Sequence, residues 1–199
     1  GVIMPPFVNG WTEALNEYPE YDLDKAKALM ADAGYGDGFD IVLNCPNDRY
    51  INDEAICQAA VGMMAQIGIN VTLESKPKAQ HFPIVKGGDS DFYMLGWGVP
   101  TFDSHYIFNF LVHTPTDDRG SWNPTGYSNG EVDAMIVSLE SETDLSARDT
   151  IIAKIWDNVQ DAQMYLPIHN QVLNWGMRSD IVFEVQPEDQ PHFQFLKFN

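Results

Sequence analysis

Two strand-like runs separated by one helix-length amphipathic segment constrain this chain most. Phe39 to Leu43 alternates apolar and polar residues, and Ile69-Asn70-Val71-Thr72-Leu73-Glu74 does so again. Between them Ala55, Ile56, Ala59, Ala60, Met63, Met64 and Ile67 recur at helical spacing, with Asn52 or Asp53 as the cap and Gly68 as the stop. A strand, a helix and a strand of these lengths form a βαβ crossover, which pairs the strands in parallel. The chain is therefore read as α/β. The loop Asn44-Cys45-Pro46-Asn47-Asp48-Arg49-Tyr50 joins the first strand to the helix.

The remaining elements extend this frame. Asp22 opens a helix with Ala26, Leu29, Met30 and Ala33 on one face, closed at Gly34. Pro77 to Val85 forms a short helix ending at Gly87-Gly88, and Asp91–Gly96 a third strand. Residues 103–112 are helical and 114–128 a loop. A helix starts at Ser128 or Asn129 with Val132, Met135, Ile136 and Leu139. The longest amphipathic pattern runs from Thr143 to Gln163. Tyr165 to Trp175 reads as edge or hairpin strands around Pro167. Residues 1–21 read as an extended connector and 186–199 as a polar, aromatic, aperiodic tail that packs on something outside the chain.

Composition excludes several classes. The net charge of −18 opposes phosphate, so nucleic acid is not a partner, and an anionic membrane surface is disfavoured. No run reaches the roughly 18–20 apolar residues that span a bilayer. No secretory leader opens the sequence, whose first residues read as the middle of a protein, either trimmed or a fragment. Cys45 and Cys57 match no zinc spacing and are either buried thiols or a bridge from strand end to helix. The five histidines show no metal spacing, and neither a nucleophile elbow nor a phosphate-cradling glycine motif occurs. Asp103 and His105 form a conceivable metal or acid–base pair, set against Asp103 as a helix cap. No catalytic residue, metal or cofactor is assigned.

Binding is better supported. The strand at Asp91–Gly96 breaks into Trp97-Gly98-Val99-Pro100-Thr101-Phe102-Asp103, a Gly- and Pro-rich loop at a strand end, where α/β proteins hold ligands. Arg49 is one of few cations, and its planar fork suits a carboxylate, unless Asp48, Asp53 or Glu54 takes it. Trp97, Trp122 and Tyr127 lie in loops rather than on periodic apolar faces, as cleft-lining aromatics do.

In order, Tyr21-Asp22-Leu23-Asp24-Lys25-Ala26-Lys27-Ala28-Leu29, Ala33-Gly34-Tyr35, the Arg49-Tyr50 loop and Ile67-Gly68-Ile69-Asn70-Val71 open a recognisable series. Leu95-Gly96-Trp97 with Asp103, Tyr127-Ser128-Asn129-Gly130-Glu131-Val132-Asp133 and Tyr165-Leu166-Pro167-Ile168 complete it. The series resembles the C-terminal lobe of the family 5 extracellular solute-binding proteins, over nearly the whole chain.

The resemblance implies a type II periplasmic-binding-protein-like lobe, a mixed, mostly parallel sheet flanked by helices. It divides the chain into a connector from a missing N-terminal lobe (1–21), a ligand-binding lobe (22–180) and a return segment (181–199). It implies a non-catalytic substrate-binding component of an ABC importer for peptides or peptide-like solutes, periplasmic or lipid-anchored, read by a membrane permease. A ligand-sensing domain of a regulator and a hydrolase using Asp103 and His105 are the alternatives. The ligand-binding set is Arg49, Tyr50, Trp97, Gly98, Val99, Asp103, Trp122 and Tyr127. Arg49 matches an Arg that holds the ligand carboxylate in dipeptide-binding relatives. Pro100 stands where peptide-binding members carry an ammonium-pairing Asp, and Ser104 replaces the Pro of their Asp-Pro pair. The departure implies an acidic ligand without a free amine at the usual place.

Overall fold

Parallel pairing of the first two strands runs through eight residues, from Phe39↔Ile69 to Pro46↔Lys76. The computed structural model describes residues 1–187 and 190–199 and divides into two compact units. The sheet unit comprises residues 18–96 and 115–127, the helical unit 1–17, 97–114 and 128–199. Glu188 and Asp189, within the expected return segment, lie outside the described residues.

The sheet unit contains α1 (Leu23–Asp32), β1 (Phe39–Pro46), α2 (Asp53–Met64), β2 (Ile69–Lys76), α3 (Lys78–Gly87) and β3 (Phe92–Tyr93), in strand order β2-β1-β3, all parallel. Leu43 and Cys45 point to one face of β1 and meet Cys57 of α2, with Val61, Val71, Leu73, Phe92 and Met94 around them. Asn44, on the opposite face, faces Glu74 across the register and donates to its carboxylate at 3.1 Å. Among described residues β3 is only two residues long. The Asp91 carboxylate accepts the Val42 N–H at 3.0 Å, which takes one ladder donor from β1.

The buried face of α2 differs from the expected one. Asp53 and Cys57 are buried, while Ala55 and Ala59 are exposed and Met63 is 65% exposed. Asp53, one of the two candidate caps, can be buried because its charge is met by backbone donors. Cys45 and Cys57 form a disulfide, the second of the two alternatives. The Met94 sulfur lies 3.8 Å from one bridge sulfur and 3.5 Å from the other.

The helical unit is built from α4 (Ser104–Ile107), continuing as a π-helical turn through Val112, with α5 (Gly130–Ser138) and α6 (Leu145–Asp161). Each helix begins at an Asp or Asn whose side chain accepts a backbone N–H: Asp103, Asn129 and Asp144. Phe108, Leu111, Ile136, Ile152, Ile155 and Trp156 form the core. Part of the segment expected as a connector joins it, since Val2, Met4 and Val8 are buried in this unit. Gly10 has φ +96°, and a Cβ there would lie 2.4 Å from Ile152 Cγ2, so only glycine fits.

Beyond α6, Tyr165 to Trp175 forms no strand, contrary to expectation. A strand needs a neighbour to satisfy its backbone, and none among the described residues pairs with it. The tail holds a two-residue antiparallel pair, β4 (Ile181–Val182) with β5 (Lys197–Phe198), and exposed Phe193, Phe195 and Phe198.

The bridge between Cys45 and Cys57 closes a loop of sequence separation 12. Reducing it is expected to lower the free energy of unfolding by about 2–4 kcal/mol. Urea denaturation with and without reductant measures this, and an unchanged midpoint contradicts it.

Candidate functional site

The expected ligand-binding residues fall in both units, and each group is set by local chemistry. In the sheet unit the loop between β1 and α2 carries Arg49 and Tyr50. It is organised by a residue outside the expected set, Asp53, which is 5% exposed. One carboxylate oxygen accepts the backbone N–H groups of Arg49 and Tyr50, both at 3.0 Å, and the other accepts that of Glu54 at 2.9 Å. Burial raises the Asp53 pKa, but the backbone donors outweigh it and hold the carboxyl below its ordinary value.

The consequence for Arg49 is direct. Asp53 bonds its backbone rather than its guanidinium, Asp48 accepts the Lys78 N–H, and Glu54 accepts from Gln58. Of the chain's four arginines, Arg119, Arg148 and Arg178 each pair with a carboxylate. Arg49 is exposed and makes no ion pair among the described residues; its guanidinium lies 4.9 Å from the Tyr50 ring centroid. The Tyr50 hydroxyl donates to the Gly96 carbonyl at 3.2 Å. Burial pushes this phenol above its ordinary pKa, partly offset by the Gly96 bond and the Arg49 charge.

Trp122 and Tyr127 are half-buried in the same unit. Trp122 packs edge-on against Phe82 at 5.6 Å, and the Lys86 ammonium sits 4.1 Å from its ring centroid. The Tyr127 carbonyl accepts from Asn123. Nearby on α3, buried His81 donates from Nε2 to the Met94 carbonyl at 2.9 Å, and burial lowers its pKa.

Trp97, Gly98, Val99 and Asp103 belong to the helical unit. The Trp97 ring lies 5.9 Å from both Tyr106 and Phe110, two rings on successive turns that sequence reasoning did not connect with it. Gly98 is exposed. Val99 is 6% exposed, so its side chain belongs to the packed interior. Asp103 caps α4 through the His105 N–H at 2.8 Å and pairs with Arg148 at 2.7 Å, with Asn9 as a further donor. The helix-cap role weighed for Asp103 is therefore the one its carboxylate performs. Burial alone would raise its pKa, but Arg148, the His105 N–H and Asn9 together hold it below the ordinary value. An open recess of about 590 Å³ beside this loop is lined by Thr101, Asp103, Tyr106, Phe110, Glu142 and Arg148, within the size range of small-molecule sites.

From sequence Asp53 is only a candidate helix cap or a partner for Arg49, not the organiser of the loop, and Arg148 is not singled out. The available signals were an acid four residues after Arg49 and a single arginine on the acidic-to-neutral helix α6.

Comparison with known proteins agrees with this architecture. The family model described as bacterial extracellular solute-binding proteins, family 5 Middle, matches residues 1–118. The glutathione-binding protein GsiB of Pectobacterium atrosepticum is 25% identical over 161 residues, 77% of this chain and 31% of that protein. The dipeptide-binding protein of Escherichia coli K12 is 27% identical over 196 residues, 96% of this chain and 36% of that protein. The chain thus spans about a third of the length of the curated relatives it matches. Among solved structures, the dipeptide-binding protein from Pseudoalteromonas sp. SM9913 in complex with Met-Leu superposes with TM-score 0.82 at 22% identity. The match covers 99% of this chain and 39% of that one. AgaA from A. tumefaciens R10, in complex with agropinic acid, superposes with TM-score 0.71 at 24% identity, covering 82% and 33%. These likenesses establish a periplasmic-binding-protein fold.

The stability that the Asp103–Arg148 pair contributes should be complete above the ordinary carboxylate pKa of about 4 and be lost as pH falls through the lower folded value. Arg148→Ala is expected to cost about 1–3 kcal/mol at neutral pH, less than a fully buried pair because both groups are partly solvated. It should also flatten the acid limb of stability against pH. Denaturation across pH 3–7 measures both; an acid limb of unchanged slope contradicts the assignment.

Proposed function

Because this chain belongs to the family 5 bacterial extracellular solute-binding proteins, we propose that it serves as part of the substrate-binding component of an ABC importer. Its solutes are peptides or peptide-like molecules, and it acts outside the cytoplasm, free in the periplasm or tethered by lipid, with a membrane permease as partner. The observation that carries the reading is Arg49, exposed and without an ion pair among the described residues, in a chain of net charge −18. An acidic chain has many carboxylates to neutralise an arginine. One kept apart from them is available to a carboxylate brought by a ligand.

Tyr50 supports the guanidinium face, while Trp97 and the exposed backbone of Gly98 offer an aromatic edge and close approach. Trp122 and Tyr127 belong to the same proposed set. Val99 and Asp103 contribute by shaping the loop, the first from the interior and the second as the cap of α4. Pro100 is exposed and carries no charge where a peptide binder keeps one, so the ligand is acidic and lacks a free amine at that place. The relatives whose names cite glutathione and dipeptides, and the solved complex with agropinic acid, support a solute bearing carboxylates.

The test is a calorimetric panel on the full-length protein: free dipeptides, their N-acetylated acids and the corresponding C-terminal amides. N-acetylated acids should bind, amides should bind at least roughly tenfold more weakly, and Arg49→Ala should erase that difference. Tight binding that requires an unblocked N-terminus would overturn the reading.

A further inference from the structure

We propose that Asp53 is the positioning residue for the Arg49 guanidinium and acts through Tyr50, an assignment that rests on the reading of Arg49 above. The guanidinium lies over the Tyr50 ring, 4.9 Å from its centroid. That ring is fixed at both ends. Its backbone N–H donates to Asp53 at 3.0 Å, and its hydroxyl donates to the Gly96 carbonyl at 3.2 Å. Arg49 itself donates its N–H to the same Asp53 oxygen. One buried carboxylate therefore sets the backbone of both the cation and the ring beneath it.

The surroundings hold Asp53 in turn. Its side chain is buried at the start of α2, and the second oxygen accepts the Glu54 N–H. Its carbonyl lies 3.4 Å from Cys45 Sγ, and Cys57 stands one helical turn further on. The Cys45–Cys57 bridge thus ties together the two ends of the segment that contains Arg49, Tyr50 and Asp53. Gly96 fits the same lock. A Cβ there would lie 2.6 Å from the Tyr50 ring, so the ring requires glycine at that position. Asn52 adopts φ +58° and makes no side-chain cap hydrogen bond, and the Asp53 carboxylate instead accepts a first-turn N–H, that of Glu54.

Arginine is long and loses much rotamer freedom when a ligand fixes it. Holding its backbone and one face beforehand removes part of that cost, a factor of roughly two to ten in affinity for one such side chain. Asp53 needs no contact with the ligand to have this effect.

The experiment is a double-mutant cycle in the full-length protein, with N-acetyl-Met-Leu as the calorimetric probe and hydrogen exchange of the 47–54 segment as a second readout. Asp53→Ala should weaken binding roughly tenfold and speed exchange at the Arg49, Tyr50 and Glu54 amides. Asp53→Asn, which keeps the volume and one acceptor oxygen, should fall between and covers the case in which alanine does not fold. In an Arg49→Ala background the Asp53 substitutions should cost no further affinity, a coupling that general destabilisation does not produce. Equal losses in both backgrounds, or unchanged exchange of the Arg49 and Tyr50 amides, overturn the Asp53 assignment alone. An Arg49→Ala protein that binds N-acetyl-Met-Leu as tightly as the wild type overturns the reading of Arg49, and the positioning proposal with it.

Discussion

A buried carboxylate that bonds only backbone N–H groups is the interaction on which the candidate site depends. Asp53, one of the two residues read as the cap of α2, is buried, and burial would raise its pKa were its charge not met by the N–H groups of Arg49, Tyr50 and Glu54. Because backbone groups neutralise it, no side-chain cation is needed. Arg49 makes no ion pair among the described residues and is supported by an aromatic face. The loop conformation and the placing of the Tyr50 ring against Gly96 both follow from that one choice of acceptor.

Asp103 shows the contrasting solution. It too is a partly buried carboxylate at a helix start, but it combines one backbone donor with the Arg148 guanidinium. Its charge is satisfied inside the helical unit, where it ties α4 to α6. Below it Ser104 accepts from the Trp156 indole at 3.2 Å and donates to the Asn9 carbonyl, so the cap lies on top of a buried polar chain. Two aspartates of similar sequence context thus have different consequences. One leaves an arginine available and the other occupies one.

Much of this was legible in the sequence where periodicity decides the outcome. The parallel pairing of β1 and β2, the caps at Asp22, Asn129 and Asp103, and the long helix from Leu145 follow from local pattern and short-range hydrogen bonding. The family resemblance rested on short motifs in order, and the match over residues 1–118 bears it out. What was not legible depended on three-dimensional partners. The disulfide needs Cys45 and Cys57 brought together by the β1–α2 turn, and sequence left thiols and bridge both open. Asp53 looked like one of three acids able to pair with Arg49, and only the fold shows its oxygens turned to the backbone. Tyr165 to Trp175 has the composition of a strand, but a strand is defined by its neighbour.

The central claim is that Arg49, exposed and without an ion pair among the described residues, marks a site for a carboxylate-bearing solute. Native mass spectrometry of full-length protein purified without added ligand, followed by identification of the molecule released on unfolding, tests it most directly. The account predicts a small solute carrying at least one carboxylate and no free α-amine. A co-purified molecule that is neutral or cationic, with no acidic group for Arg49 to hold, would contradict it.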